Sequence, residues 1–259
     1  MTTIPATEPD NPLILGQTVH TGIEKSLEEA IREYCFSFPI ITDEHINEII
    51  KFETVIPLAR AAIPPGGKFE VEIKDDDFHG FIDYLVPMGY MSKEALHNPY
   101  GEDVDVFDLY DFKYSNNVSG YKQSGQLHEY KYFFERNNPG KRIRNMYFVF
   151  IPKVTIRQKK TETLLEFRER LKEALSGVEV KIVQIGFNPE KVIEFLFGIK
   201  AVNEETEFPQ EKSYLCRYCE FQEYCEKGND YMIKLPENKR RNIEAVEKRV
   251  LWIYGVPFC

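Results

Sequence analysis

The eight residues Val106–Lys113, VFDLYDFK, decide the fold that this sequence predicts. The apolar run is typical of a buried strand, and it ends in an acidic residue, Asp111, and in Lys113. Side chains alternate between the faces of a strand, so Asp111 and Lys113 point the same way and Asp108 points the other. The segment therefore predicts a strand that brings a carboxylate and an ammonium group to one place.

A second apolar run, Gly80–Asp83, also ends in a carboxylate. If its strand lies beside the first, Asp83, Asp111 and Lys113 meet in one small volume. Two carboxylates bind hard divalent cations through oxygen. A lysine can orient or deprotonate water, or neutralise charge on a phosphate. This set predicts a metal-dependent phosphodiester hydrolase.

The composition is that of a folded protein, with 42% hydrophobic and 14% aromatic residues in a chain of 259. These values exclude a disordered chain. The net charge of -9 gives no general attraction for nucleic acid, although a local basic strip can lie on an acidic protein. The sequence has no apolar run of membrane-spanning length and no signal-peptide pattern, so we expect a cytoplasmic protein with no membrane partner.

The periodicity along the chain predicts an α/β protein whose central mixed sheet is flanked by helices. One helix is expected over Val19–Tyr34, and a second from Thr42 or Asp43 to Ala62. The other expected elements are strands over Lys68–Lys74 and Phe78–Val86, an irregular insertion over Pro87–Asp105, the strand Val106–Lys113, a loop over Tyr114–Gly125, a helix over Gln126–Arg136, a strand over Arg144–Pro152, a helix over Thr161–Ser176, a strand over Val178–Ile185, a helix over Pro189–Val202 and a basic helix near Asn238–Arg249.

The order of these motifs resembles the PD-(D/E)XK nuclease superfamily, specifically its RecB-like exonuclease branch. Gly80–Asp83 resembles the Gly-x-x-Asp strand of this family, and Asp111–Lys113 resembles its (D/E)-x-K strand. Gln126–Tyr130 fits its Gln-x-x-x-Tyr helix, and His20 is similar to the histidine that these enzymes place ahead of the core. The resemblance implies a restriction-endonuclease-like core.

The same resemblance implies roles for individual residues. Asp83 and Asp111 would be direct ligands of Mg²⁺ or Mn²⁺, with the carbonyl of Phe112 as a third ligand, and His20 would complete the shell of one ion. Lys113 would position water and stabilise charge. An ordinary lysine, with a pKa near ~10.4, is a poor base at neutral pH, so we favour this role over proton abstraction.

Substrate binding is expected from the helix that follows. Gln126 and Tyr130 are four residues apart and so share one helix face, where they could bind phosphate or stack on a base. Glu70 and Glu72, on the strand before Asp83, are assigned no role, although one of them could approach the cations. Each site residue taken singly also has an ordinary structural explanation, such as a turn residue or a surface ion pair; it is their order together that favours the nuclease.

Three cysteines, Cys216, Cys219 and Cys225, form a Cys-x2-Cys-x5-Cys motif that suits a soft metal centre. The motif resembles the iron–sulfur module of AddB nucleases and CRISPR-adaptation nucleases, which implies a [4Fe–4S] cluster with a fourth, N-terminal cysteine. Cys35 is the expected fourth ligand. Its place after the first-helix histidine departs from the family pattern, so Cys259 is a rival. Zinc and unligated buried thiols are the alternatives.

The predicted organisation is a flexible lead-in over residues 1–18, a nuclease core over 19–205 and a cysteine-rich segment over 206–259. The predicted function is a metal-dependent DNA exonuclease acting on single strands or duplex ends in recombination, repair or phage DNA metabolism, with a repair or recombination protein as a potential partner. Two alternatives stay open: a non-catalytic DNA-binding or scaffold protein on the nuclease fold, and a structure-specific endonuclease or CRISPR spacer-processing nuclease.

Overall fold

The computed structural model describes residues 8–76, 78–92, 103–206, 211–213, 216 and 222–227. The chain forms two compact units, Met1–Asn203 and Glu204–Cys259. In the second unit the structure describes a short helix, Gln222–Lys227 (α8). The predicted basic helix near Asn238–Arg249 lies outside the described residues. No described helix has both the length and the apolar character needed to cross a membrane.

A five-stranded mixed sheet forms the centre of the first unit. Its strands are Lys68–Lys74 (β1), His79–Met91 (β2), Val104–Tyr114 (β3), Lys141–Ile151 (β4) and Lys181–Ile185 (β5). They lie in the spatial order β1-β2-β3-β4-β5. β3 and β4 run parallel, and every other neighbouring pair is antiparallel. A parallel pair needs a crossover connection, which the helices between β3 and β4 supply.

Helices cover both faces of this sheet. They are Pro12–Glu24 (α1), Leu27–Phe36 (α2), Asp43–Ala62 (α3), Val118–Lys122 (α4), Gln126–Asn137 (α5), Leu164–Ser176 (α6) and Pro189–Glu204 (α7). Side chains of α1, α2, α3 and α6 contribute to one hydrophobic cluster, and α5 contributes to the other. The predicted α/β class with a central mixed sheet is therefore confirmed.

The N-terminal helix differs from the prediction in two ways. The prediction of a single helix over Val19–Tyr34 is wrong, because α1 ends at Glu24 and a separate helix, α2, begins at Leu27. Ser26 is extended, and its hydroxyl accepts a hydrogen bond from the Glu29 N–H at 3.1 Å, so it caps a new helix. In addition, α1 begins at Pro12 with Asn11 as its cap, so residues 12–18, expected in a flexible lead-in, are helical.

The insertion predicted over Pro87–Asp105 is too long at both ends. β2 continues to Met91 and β3 begins at Val104, and the pairing register shifts between Pro87 and Tyr90. A β-bulge at this point accommodates a proline and Gly89, which has a φ of 94°. Residues 93–102 lie outside the described residues. The loop predicted over Tyr114–Gly125 contains the short helix α4.

Candidate active site

The strand pairing opens around Asp83. Pairing of β1 with β2 is interrupted at one position, where Glu70 and Asp83 lie opposite each other between two regular pairs. Pairing of β2 with β3 begins only at Tyr84 and Tyr110, and the same register continued would place Asp83 opposite Asp111. Three carboxylates on three adjacent strands therefore converge where the regular ladder is broken.

The backbone of Glu70 explains part of this break. Its φ is 50°, and no other non-glycine residue that the structure describes has a positive φ. Side chains two positions apart on a regular strand share a face, yet Phe69 packs against the first hydrophobic cluster and Val71 against the second. The left-handed conformation is unfavourable for a residue with a Cβ, and here it turns the strand at the position opposite Asp83.

Asp83 is held by the backbone of β3 and faces a histidine. Its Oδ2 accepts the N–H of Phe112 at 2.7 Å and lies 3.7 Å from Nδ1 of His20. The other ring nitrogen, Nε2, lies 3.0 Å from the Phe112 carbonyl oxygen. A carbonyl oxygen can only accept, so Nε2 carries the hydrogen and the lone pair of Nδ1 faces Asp83. The Phe112 carbonyl, predicted as a metal ligand, here accepts a hydrogen bond from His20.

Asp111 is the most deeply buried carboxylate of the site, with a residue exposure of 1%. The ammonium of Lys113 lies 2.5 Å from Oδ2. This buried carboxylate therefore pairs with Lys113 on one oxygen and has no described hydrogen-bond donor on the other. A buried carboxylate with an incomplete set of donors is costly. A divalent cation is the kind of ligand that would satisfy it.

The electrostatics of the metal-free site favour protonated carboxyls. Burial raises the pKa of Asp83 to about 7. Burial and the charge of Asp83 together raise the pKa of Asp111 to about 7. Burial lowers the pKa of His20, so its imidazole is neutral at pH 7 and can act as a ligand. A cation binding here would displace protons from the carboxyl pair.

A chain of hydrogen bonds connects Lys113 to α5. Its ammonium donates to Oε1 of Gln126 at 2.9 Å, and Nε2 of Gln126 donates to the hydroxyl oxygen of Tyr130 at 3.0 Å. The same ammonium lies over the rings of Tyr121 and Phe148, at 5.3 Å and 5.7 Å from their centroids. Gln126 and Tyr130 thus lie beside the predicted site, and Gln126 fixes the position of the lysine.

Gly80 allows this arrangement on β2. A Cβ at this position would lie 3.2 Å from the Tyr130 ring and 3.0 Å from the Phe78 ring. These contacts are tighter than most real Cβ contacts, so a larger residue would push the tyrosine-bearing helix away from the strand that carries Asp83. The glycine of the Gly-x-x-Asp motif therefore has a packing role in this chain.

One group of described residues has the geometry of a metal site. His20, Glu70 and Asp83 each offer one ligand atom, and these three atoms lie within 4.8 Å of one another. Nitrogen and carboxylate oxygen donors of this kind suit Mn²⁺ or Mg²⁺. The sequence alone assigns no role to Glu70. Counting back from Asp83 across the turn of the β1–β2 hairpin would have placed it opposite Asp83.

The predicted cysteine ligands are only partly described. Cys35 lies on α2, partly buried against the first hydrophobic cluster. In the second unit, the Ser213 N–H donates to Sγ of Cys216 at 3.3 Å, and Cys225 lies on α8. Cys219 and Cys259 lie outside the described residues. A cluster at these cysteines stays a prediction.

The fold and the site define an α/β protein with carboxylates that could bind a cation on adjacent strands of a mixed sheet. Residues 102–226 match the family model of the PD-(D/E)XK nuclease superfamily. This part of the chain is similar to PD-(D/E)XK nuclease superfamily domains, and the predicted restriction-endonuclease-like fold is confirmed. The match includes Asp111, Lys113, Gln126 and Tyr130 and begins after Asp83, whose place in the site comes from the strand pairing.

Comparison with other proteins adds one structural likeness. The chain is similar to the crystal structure of a candidate exonuclease from Eubacterium rectale, with 13% sequence identity and a TM-score of 0.45. The alignment covers 91% of this chain and 79% of that one. No curated protein sequence matches the chain.

Proposed function

We propose that this protein is a divalent-metal-dependent deoxyribonuclease, an exonuclease of the RecB-like branch that degrades DNA from single-stranded or duplex ends. The observation that carries the proposal is the buried carboxylate of Asp111, which pairs with the Lys113 ammonium on one oxygen and has no described hydrogen-bond donor on the other. A folded protein keeps such a group only where something else satisfies it. Asp83 on the neighbouring strand supplies a second carboxylate.

The donors present fit Mg²⁺ or Mn²⁺. Asp83 and Asp111 would hold the cation through oxygen, and the neutral imidazole of His20 would contribute Nδ1. A bound divalent cation polarises the scissile phosphate and lowers the pKa of the attacking water.

The other groups act through position and charge. Lys113 is directed by Gln126 and stays next to the carboxylates, where its ammonium can orient water and offset charge that develops on the phosphate. The hydroxyl of Tyr130 accepts from Gln126 and keeps its own hydrogen for a further acceptor, such as a phosphate oxygen of the substrate. The intact set of Asp83, Asp111 and Lys113 favours an enzyme over a scaffold on the same fold.

We further propose that the cysteine-rich segment binds a [4Fe–4S] cluster through Cys216, Cys219, Cys225 and either Cys35 or Cys259, with zinc as the alternative metal. Its role would be structural. An anaerobic preparation should show about four irons and visible absorbance; a colourless preparation with one zinc would favour the alternative. The setting that we propose is cytoplasmic DNA recombination or repair.

The nuclease proposal is tested with end-labelled linear DNA and circular single-stranded DNA, in Mg²⁺, in Mn²⁺ and in EDTA. We expect degradation of linear DNA with either cation, none in EDTA, and an intact circle. Lys113→Ala should lose activity, while the control Lys122→Ala, at an exposed position on α4, should retain it. Equal cleavage by both variants would exclude the proposed site, and cleavage of the circle would indicate an endonuclease.

A further inference from the structure

The connection between β4 and α6, residues 152–163, is rich in basic side chains. It carries Lys153, Arg157, Lys159 and Lys160, which we call the basic strip, and one acidic residue, Glu162. Lys153 is partly exposed, and the other three basic residues are exposed. No carboxylate in the described part of the chain forms an ion pair with any of the four. Their positive charges are therefore available to a ligand.

Many other basic side chains of this acidic protein are already neutralised. Those that pair with a carboxylate include Lys25, Lys51, Lys131, Arg144, Arg168, Arg170 and Lys191. The net charge of -9 repels a polyanion on average, so a chain that binds DNA needs a local region of free positive charge. The basic strip supplies such a region.

Glu162 is neutralised from α6 and helps to fix the backbone of the strip. Its carboxylate accepts hydrogen bonds from Nε and Nη2 of Arg170, at 2.7 and 2.8 Å, and from the Lys159 N–H at 3.0 Å. Nη2 of Arg170 also donates to the carbonyl oxygen of Arg157 at 2.9 Å. The one carboxylate of this connection is therefore directed to an arginine outside the strip, and the strip is held in place before a ligand arrives. Such preorganisation lowers the entropy cost of binding.

The basic strip begins beside the candidate active site. β3 and β4 run parallel, and Lys113 pairs with Phe150, so Lys153 follows three residues later, about 10 Å along the chain. Asn116 bonds both backbone groups of Lys153: its Nδ2 donates to the carbonyl oxygen at 2.8 Å, and its Oδ1 accepts the N–H at 3.0 Å. The Lys153 ammonium lies 5.8 Å from the ring centroid of Tyr114, the residue after Lys113. The strip therefore starts at the end of the sheet that carries Lys113.

We propose that the basic strip binds phosphates of a DNA strand away from the scissile phosphodiester and guides that strand to the carboxylates. Lysine and arginine bind phosphate without reading the base sequence, and the counterions that are released favour binding. Glu8, Asp10 and Glu44 line the opposite wall of a cavity that the strip borders, so we expect the strand to follow the basic wall. The proposal rests on the proposed nuclease function for the identity of its ligand.

The test compares two variants that each remove one arginine and one lysine. Arg157→Gln with Lys159→Gln neutralises part of the strip, whereas Lys141→Gln with Arg142→Gln removes the same charge at the other end of β4. The measurement is fluorescence anisotropy of a labelled single strand of about 20 nucleotides, longer than ordinary single-strand sites, in EDTA over a range of salt. At about 0.1 M salt the strip variant should bind at least about tenfold more weakly. Its salt slope should fall by about 1.4, because each phosphate contact contributes about 0.7.

A charge-retaining variant separates the effect of charge from an effect on folding. Arg157→Lys with Lys159→Arg keeps both charges and should bind DNA like the wild type, as should the Lys141→Gln, Arg142→Gln control. Wild-type affinity and salt slope in the neutral strip variant would overturn the proposal. So would an equal loss in the control or in the charge-retaining variant, or a wild type that does not bind DNA.

Digestion of the same oligonucleotide in Mg²⁺ separates this proposal from the nuclease itself. The neutral strip variant should have a raised KM and a nearly unchanged kcat, since the strip contacts DNA away from the reacting atoms. A lower kcat with unchanged KM and affinity would overturn the role of the strip. Wild-type cleavage that does not depend on the strip would overturn only the strip, and DNA binding through the strip without any cleavage would overturn only the nuclease.

Discussion

Asp108 and Asp111 are two buried carboxylates, three residues apart on β3, with opposite surroundings. Asp108 accepts two hydrogen bonds from the Arg144 guanidinium, at 3.0 and 2.7 Å, and two more from the backbone and side chain of Asn145. Asp111 has the Lys113 ammonium 2.5 Å from Oδ2 and no hydrogen-bond donor at Oδ1 among the described residues. Residue exposures of 3% and 1% make burial equal in the two cases, so the difference lies in what satisfies the charge. Asp108 has its full set of donors within the fold, whereas Asp111 keeps an oxygen that a ligand could bind.

Cleavage of DNA should separate the two residues most strongly. Asp111→Asn removes a proposed metal ligand, and we expect kcat/KM to fall at least about a thousandfold, equivalent to about 4 kcal/mol of transition-state stabilisation. Asp108→Asn leaves the site untouched and should retain near wild-type cleavage per folded molecule. The measurement is initial-rate digestion in Mg²⁺, with the folded fraction established by circular dichroism. Comparable losses in the two variants would show that Asp111 is no more functional than Asp108.

The free energy of unfolding should change in opposite directions in Asp108→Asn and Asp111→Asn. Asp108→Asn breaks a charge-assisted, bidentate pair, and we expect the free energy of unfolding to fall by about 2 kcal/mol. Asp111→Asn removes a buried carboxylate whose pKa is raised from 3.8 to about 7, a change that corresponds to about 4 kcal/mol. It also removes the charged partner of Lys113, so the metal-free protein should gain stability at pH 8, but by less than this amount. Urea denaturation in EDTA at pH 8 measures both. A destabilised Asp111→Asn would mean that its carboxylate is satisfied after all.

The dependence of the free energy of unfolding on pH should reflect the titration of the Asp83 and Asp111 carboxyl groups. Their pKa values are raised to about 7 in the folded protein, against about 3.9 for an unfolded aspartate. Between about pH 4 and pH 7 the folded state therefore binds more protons than the unfolded state, and stability falls as pH rises through this window. Mg²⁺ or Mn²⁺ replaces the protons, so it should raise Tm more at pH 8 than at pH 5.5.

Scanning calorimetry at both pH values, with and without the cation, makes this comparison. In Asp111→Asn, stability should fall less steeply with rising pH, and the cation should change Tm little. Asp108→Asn should have a lower Tm but the same pH dependence and the same rise of Tm with the cation as the wild type. A cation effect of equal size at pH 5.5 and pH 8 would contradict the proton displacement.

Much of this site follows from local sequence. A strand through Asp111 and Lys113 and a helix beginning at Gln126 are local patterns, since each depends on alternation or on helix periodicity within one segment. The strand pairing then brings Asp83 next to them. The same alternation predicts that Asp108 points to the opposite face of the strand from Asp111. Its hydrogen bond from Arg144 is consistent with this orientation.

Other features depend on contacts that no single segment contains. The apolar periodicity of α1 continues into α2 across the break at Ser26. Periodicity alone therefore predicts one helix where the structure has two. Pro87 and Gly89 made the end of β2 resemble a loop, and pairing with β3 overrides that tendency. Glu70 lies opposite Asp83 because of the register of the β1–β2 hairpin, in a backbone conformation that glutamate does not by itself prefer.

The smallest effect is expected at Gln126, which touches the site through Lys113. Gln126→Ala removes the acceptor at 2.9 Å from the ammonium, and we expect kcat to fall about tenfold, within the range for misplacing a positioned group. KM should change little if Gln126 acts only on the lysine. Tyr130→Phe keeps that contact and should raise KM more than it lowers kcat if its hydroxyl binds phosphate. Exposed Gln123→Ala is the matched control. Steady-state digestion of a labelled oligonucleotide measures kcat and KM for each variant and so distinguishes the two roles. Equal changes of kcat and KM in Gln126→Ala and Tyr130→Phe would contradict this division. They would mean that the two residues bind substrate as one unit.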